Sequence, residues 1–136
     1  QRPSRMMVLD TSAFVAILTD EPERRAFNEA IEIAQIRMVG ATSLLETKMV
    51  LFARYGAAGA NAVDAFLLRG EIRVEPVTAG QAEIAFEAFR RFGRGTGHPA
   101  RLNYGDCFSY ALAREKEARL LFKGDDFVHT DVEPAV

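Results

Sequence analysis

The stretch Met-Met-Val-Leu-Asp-Thr-Ser-Ala at residues 6–13 combines a short apolar run, an acid and the start of a helical pattern. The run stops at Asp10, and helix-like spacing begins directly after it. Further along the chain, short apolar segments again alternate with helical patterns. Alternation of this kind is typical of an α/β layer fold with a mostly parallel sheet. We therefore predict that residues 6–13 contain the first strand and the start of the first helix of such a fold.

The pattern of the whole chain predicts four strands and six helices. The strands are predicted at residues 7–9, 37–39, 72–77 and 120–122. The helices are predicted at residues 12–18, from Pro22 onward, and at 42–55, 60–68, 81–92 and 106–116. In the fifth helix Ala82, Ala85, Phe86 and Phe89 form one apolar stripe. Residues 93–102 contain three glycines and a proline, which predicts a loop.

Length and composition predict one compact domain, over residues 6–136, in a reducing compartment. The 136 residues carry a net charge of −2, so no polybasic tail indicates a nucleic acid or a membrane as partner. The single cysteine, Cys107, has no partner for an internal disulfide, which suits the cytoplasm. No apolar run approaches the roughly 20 residues that span a bilayer. Residues 1–5 are interpreted as a polar leader or a cloning remnant.

Acidic residues stand at the edges of several apolar segments. They are Asp10, Glu46, Asp106 and the adjacent pair Asp125 and Asp126. In a parallel sheet with covering helices, ligands bind outside the carboxyl ends of the strands. Carboxylates that converge there would form a site for a hard divalent cation. The sequence therefore predicts a metal-dependent phosphodiesterase.

Each acid also has a structural interpretation, which leaves a non-catalytic binding module open. Asp10 is a favoured residue for a helix N-cap, although Ser12 would cap equally well. The acids Glu46 and Asp106 stand three residues after Ser43 and Asn103, as in a capping box. The Asp125-Asp126 pair fits a turn.

The helical wheel favours a pocket for Glu46. It places Glu46 with Met49, Val50 and Ala53, and puts Thr47 on a different side. A carboxylate on an apolar face is costly unless it is paired or bound to metal.

Taken together, the motifs resemble the PIN domain, and more narrowly the VapC toxins of toxin–antitoxin pairs. The resemblance is carried by Val8-Leu9-Asp10-Thr11-Ser12-Ala13, Glu46, Asn103-Tyr104-Gly105-Asp106-Cys107, Leu121-Phe122-Lys123-Gly124-Asp125-Asp126-Phe127 and Thr130-Asp131. It implies a three-layer α/β/α fold, RNA cleavage that depends on Mg²⁺ or Mn²⁺, inhibition by a cognate VapB antitoxin, and a homodimer.

The resemblance also implies roles for individual residues. Asp10, Glu46 and Asp106 match the family's acids. The fourth acid is Asp126, with Asp125 as the close alternative. Asp10 and Asp106 are expected to bind the metal directly, and Glu46 and Asp126 to bind a second ion or to hold water. Ser12 or Thr11 is expected to hydrogen-bond a ligand carboxylate.

A cationic segment precedes Asn103 and is the candidate RNA-binding loop. It contains Arg90, Arg91, Arg94, His98 and Arg101, which would grip backbone phosphates without reading bases. A solvated basic loop is the alternative. Tyr104 is expected to be a core or rim residue, with stacking on a base as its alternative role. Cys107 is expected to be a small buried residue, because no histidine adjoins it.

Overall fold

The fold is a four-stranded sheet with helices on both faces. A computed structural model describes residues 5–136; most of the predicted leader, residues 1–4, lies outside the described part. The strands are β1 (Met6–Leu9), β2 (Ile36–Gly40), β3 (Ile72–Glu75) and β4 (Arg119–Leu121). They lie in the order β3-β2-β1-β4, and every neighbouring pair is parallel. The predicted α/β class and parallel sheet are confirmed.

Six helices cover the sheet and create two hydrophobic cores. They are α1 (Thr11–Leu18), α2 (Arg24–Ile33), α3 (Ala41–Tyr55), α4 (Ala57–Arg69), α5 (Ala79–Phe92) and α6 (Tyr104–Lys116). Side chains of a strand alternate between the two faces of its sheet. In β1, Val8 packs into the core under α5 and α6, while Met7 and Leu9 pack into the core under α1, α2 and α4. The fold therefore has three layers.

Several element ends differ from the prediction for local reasons. The strand predicted at residues 72–77 ends at Glu75, because Pro76 has no N–H to continue the ladder. Helix α4 begins three residues early, at Ala57, because Gly56 adopts a φ of 69° and lets α4 follow α3 directly. Pro22 lies before α2, which begins at Arg24.

The apolar stripe predicted for α5 is partly wrong. The buried face of α5 consists of Gln81, Ala85, Ala88 and Phe92, whereas Phe86 is 64% exposed. The reason is that α6 packs against the small residues of α5 and leaves the rings outside. Those rings line an apolar groove between α5 and α6 with a volume of about 420 Å³, and we call it the α5–α6 groove.

None of the helices in residues 5–136 has both the length and the apolar character needed to cross a membrane. The cytoplasmic location expected from the single cysteine stays a prediction.

Candidate active site

Asp10 lies directly after β1, at the carboxyl edge of the sheet. Its backbone N–H donates to the carbonyl of Leu121, 3.0 Å away, which ties the ends of β1 and β4 together. Its side chain caps α1, since Oδ2 accepts from the Ser12 N–H at 3.0 Å and from the Ser12 hydroxyl at 2.7 Å. Asp10, and not Ser12, is therefore the N-cap. The residue is only 6% exposed.

Asp106 lies in the first turn of α6 and completes a capping box. Its N–H donates to Oδ1 of Asn103 at 2.8 Å, and its Oδ2 accepts from the Asn103 N–H at 3.0 Å. These bonds hold the carboxyl group against the helix start, where it is 9% exposed. The capping interpretation is thus correct for Asp10 and for Asp106.

Two other stretches of chain bring a carboxyl group to Asp106. Burial, together with the charges of Asp10 and Asp126, raises the pKa of Asp106 to about 7, despite the lowering effect of the Asn103 N–H. Of the adjacent pair, Asp126 is the residue whose carboxyl group faces Asp106. Asp125 is exposed. Capping and convergence therefore occur together at this edge.

Glu46 reaches the same place from α3. Its carboxylate accepts from the Thr11 hydroxyl at 3.3 Å, and its Oε1 lies 2.7 Å from where a Cβ on Gly105 would stand. The capping box predicted between Ser43 and Glu46 is wrong, because α3 begins at Ala41 and already contains Ser43. Glu46 is free of that role and lies exposed beside the start of α6.

The helical wheel of α3 is also corrected. Thr47, which the wheel put on another side, is fully buried, whereas Met49 beside Glu46 is 61% exposed. The buried face consists of Ser43, Thr47 and Leu51. Hydroxyl side chains can enter the core because they bond to nearby groups: Thr47 Oγ1 donates to the Ser43 carbonyl at 2.7 Å.

A buried pair of serine hydroxyls reaches Asp10 and is absent from the sequence prediction. Ser109 Oγ lies 2.6 Å from Asp10 Oδ1, and Ser43 Oγ lies 3.1 Å from Ser109 Oγ. One signal could have found it. Ser109 stands three residues after Asp106, which puts both on one side of α6.

The two hydroxyl residues predicted to support the ligands occupy different places. Ser12 Oγ donates to Asp10 and accepts from the backbone N–H of Lys123 at 3.0 Å, which links Asp10 to the loop that carries Asp126. Thr11 instead lies beside Glu46. Lys123 Nζ pairs with Glu21 at 2.7 Å and anchors that loop to the residues before α2.

The donor chemistry of the site fits a hard divalent cation that keeps its own water. All the converging groups are carboxylates and hydroxyls, and the pKa of Asp106 is raised first by burial and then by the charges of Asp10 and Asp126. Within residues 5–136 no three Asp, Glu, His or Cys side chains form a ready-made metal cage. Mg²⁺ usually takes one or two carboxylates and retains several waters, so Asp10 and Asp106 suffice as protein ligands.

Two arginines of the predicted RNA-binding segment are engaged in ion pairs. Arg90 Nη2 lies 2.6 Å from Glu87, and Arg91 lies 3.8 Å from Asp131. Arg91 also stacks over the ring of Phe92, with 4.6 Å between the guanidinium carbon and the ring centre. Both pairs are exposed and therefore weak, so a phosphate could replace either carboxylate, and the role predicted for these arginines stays a prediction.

The loop itself leaves two arginines open. His98 is half-buried, and its Nδ1 accepts from the Ala100 N–H at 3.0 Å, so it braces the loop. Arg94 and Arg101 are exposed, and neither forms an ion pair within residues 5–136. The Arg94 N–H donates to the carbonyl of Leu102 at 2.9 Å, which keeps the loop next to the start of α6.

The remaining two predictions concern residues beside Asp106. Tyr104 is 79% exposed, so a core position is wrong, and its ring stands edge-on to Phe108. Cys107 is buried as expected, and burial raises the pKa of its thiol to about 11. A thiol of that kind is not a nucleophile near neutral pH.

Several known proteins are similar to this chain in sequence, in fold or in both. The family described as PIN domain matches residues 7–133. Ribonuclease VapC30 of Mycobacterium tuberculosis is 48% identical over 126 residues, which are 93% of this chain and 95% of that protein. Ribonuclease VapC of Mycolicibacterium smegmatis is also 48% identical over 126 residues, with 93% and 97% covered. The crystal structure of M. tuberculosis VapC20, described as a sarcin-ricin loop cleaving toxin, matches with a TM-score of 0.74 and 25% identity, covering 93% of this chain and 95% of that one. This chain belongs to the PIN-domain family, among the VapC proteins.

Proposed function

We propose that this protein is a divalent-metal-dependent endoribonuclease and the toxin of a toxin–antitoxin pair. The observation that carries the proposal is the buried Asp106 carboxyl group, which faces Asp10 and Asp126 from two other segments of the chain. Such crowding is costly without a cation and useful with one. Relatives named as VapC ribonucleases support RNA as the substrate.

In this proposal each acid has a distinct task. Asp10 and Asp106 hold Mg²⁺ or Mn²⁺, and Glu46 and Asp126 orient the attacking water in line with the scissile phosphodiester. When bound, the cation lowers the pKa of water and stabilises negative charge on the phosphate oxygens. Ser12 keeps the Asp10 carboxylate in place through its 2.7 Å hydrogen bond.

The substrate is held by charge beside the acids. Arg94 and Arg101 lie on the glycine-rich loop that leads into Asn103 and the start of α6. Their guanidinium groups bind backbone phosphates, which positions a strand without reading its bases. Affinity for RNA should therefore fall steeply as salt is raised.

Cleavage of a fluorescent RNA tests the proposal. Asp10→Asn and Asp106→Asn should each lower the Mn²⁺-dependent rate by more than about 100-fold, the upper end of what changes around the ligands cost. Asp64→Asn is the matched control, since Asp64 is an exposed acid that pairs with Lys48 on α3. The parent should lose activity in EDTA and regain it with Mn²⁺. If Asp10→Asn and Asp106→Asn cleave as fast as Asp64→Asn and the parent, the proposed site is wrong.

The same variants separate the enzyme from a non-catalytic module whose acids are caps. Asparagine is as good an N-cap as aspartate. Asp10→Asn should therefore keep its cap, and the asparagine oxygen of Asp106→Asn can still accept the Asn103 N–H. Both variants should keep the fold, as judged by circular dichroism, while they lose cleavage. A protein that cleaves no RNA in either form would favour the module.

We also propose two protein partners, each with its own surface. Helix α3 exposes Leu45, Met49 and Phe52 as one stripe, which we call the α3 stripe. Because the stripe runs beside Glu46, an antitoxin bound there would cover the acids and inhibit the enzyme. Helices α1 and α2, in contrast, direct most of their apolar residues into the core, although Ile33 at the end of α2 is exposed. The expected homodimer is assigned to the α5–α6 groove, whose lining carries no charge.

A further inference from the structure

The carboxylate of Asp10 is held by more donors than a helix cap requires. Oδ2 accepts two hydrogen bonds from Ser12, at 3.0 Å from its N–H and 2.7 Å from its hydroxyl. Oδ1 accepts one more from the Ser109 hydroxyl, at 2.6 Å. The first two bonds are local and come with the cap. The third comes from 99 residues away and needs its own explanation.

The direction of the hydrogen bonds follows from chemistry. An ionised carboxylate only accepts, so the single hydroxyl hydrogen of Ser109 is directed at Asp10. Ser43 Oγ, 3.1 Å from Ser109 Oγ, must then donate to it. Ser43 and Ser109 are 3% and 2% exposed, so water does not compete for these bonds. The hydrogen bonds therefore run from Ser43 on α3 through Ser109 on α6 to Asp10.

Helix α6 thereby carries both Asp106 and Ser109, the residue that fixes the orientation of the Asp10 carboxylate. Asp106 and Ser109 are three residues apart and lie on the same side of α6. Any rotation of the Asp10 carboxylate would break its short bond to Ser109. The bond therefore sets the orientation of Asp10 relative to Asp106, on a single rigid element.

We propose that Ser109 is a positioning residue that orients the Asp10 carboxylate for metal binding, and that Ser43 orients Ser109. The inference rests on the proposed function, because it assigns Asp10 as a ligand. It adds two residues that act on the metal through Asp10. Groups that hydrogen-bond a ligand typically contribute about 10- to 100-fold to metal affinity.

Titration of Mn²⁺ alone into metal-free protein, followed by calorimetry, tests the proposal without RNA. Ser109→Ala should raise the Kd for Mn²⁺ by about 10-fold or more. Tyr110→Phe is the matched control. It removes the hydroxyl of the next residue on α6, which also donates at 2.6 Å to a carboxylate, that of Asp131. Tyr110→Phe should leave the Kd within about twofold of the parent, well below the change of about 10-fold or more expected when a group that hydrogen-bonds a ligand is lost.

A double-mutant cycle tests whether Ser43 acts on Asp10 through Ser109. Ser43→Ala should weaken Mn²⁺ binding by a smaller factor, and that factor should vanish in the Ser109→Ala background, because Ser43 acts only through Ser109. If Ser109→Ala binds Mn²⁺ like the parent, or if Tyr110→Phe weakens binding equally, the positioning role is wrong and the proposed function stands. A parent that binds no Mn²⁺ would overturn both.

Discussion

At the scale of single residues, Asp106 combines a structural and an ionisable role. Its Oδ2 accepts the Asn103 N–H of the capping box, while burial and the charges of Asp10 and Asp126 raise its pKa to about 7. A carboxyl group whose pKa is higher in the folded than in the unfolded protein stabilises the fold at low pH. That contribution is complete below about pH 4 and is lost as the pH rises through about 7.

Asp106→Asn should therefore raise the melting temperature of the metal-free protein at pH 8. The asparagine oxygen keeps the bond to Asn103, and the buried charge is gone. A gain of about 3 °C or more is expected, since 1 kcal/mol moves the melting temperature of a domain of this size by about 3–5 °C. The gain should shrink toward pH 4, where the aspartate is neutral. Thermal melts in EDTA at several pH values measure it.

The exposed Asp64→Asn provides the comparison, because its pair with Lys48 is on the surface and should shift the melting temperature little. A clear loss of stability for Asp106→Asn at pH 8 would mean that the cap outweighs the buried charge. The crowding of acids would then be no reason to infer a cation.

At the scale of elements, the start of α6 touches α3 through a glycine. A Cβ on Gly105 would stand 2.7 Å from Glu46 Oε1, the far end of a flexible side chain. Gly105→Ala should therefore push the Glu46 carboxylate aside and slow RNA cleavage by about 10-fold. Stability should stay equal or rise by up to about 1 kcal/mol, because alanine is the better helix residue. Cleavage rates and melts of the same samples provide both values.

Gly80→Ala is the matched control on α5. Gly80 is the second residue of its helix, as Gly105 is of α6, and the nearest atom to its Cβ would be 3.8 Å away. It should change stability in the same direction and leave cleavage unchanged. Parallel losses of cleavage in both variants would show that the contact with Glu46 is irrelevant.

Helices and strands were predictable because their apolar spacing is local, but the face that each helix buries was not. The succession of strands and helices along the chain follows from periodicity, and the acids at the edges of the apolar segments can be read directly from the sequence. The helical wheel treats a hydroxyl side chain as polar, because it cannot show the bonding partner that lets the hydroxyl be buried, and it therefore places Thr47 on the wrong side of α3. The same limit hides Ser109. Its partner Asp10 comes from the far end of the chain.

At the scale of the whole molecule, the α3 stripe and the α5–α6 groove are two separate exposed apolar surfaces. The α3 stripe lies beside Glu46, and the α5–α6 groove lies between two other helices. Exposed apolar patches of this kind usually mark sites of protein binding. Two different partners, an antitoxin and a second copy, can therefore bind without competing for one surface.

Two substitutions, one in each surface, test which partner binds where. Met49→Lys places a charge in the α3 stripe and should weaken binding of the purified cognate antitoxin by about 100-fold, the loss of one buried anchor. Phe86→Lys does the same in the α5–α6 groove and should shift sedimentation from dimer toward monomer. Each variant should leave the other measurement unchanged, because the two residues lie on different helices and share no contacts. A Met49→Lys variant that sediments as a monomer, or a Phe86→Lys variant that loses the antitoxin, would reverse the assignment of the surfaces.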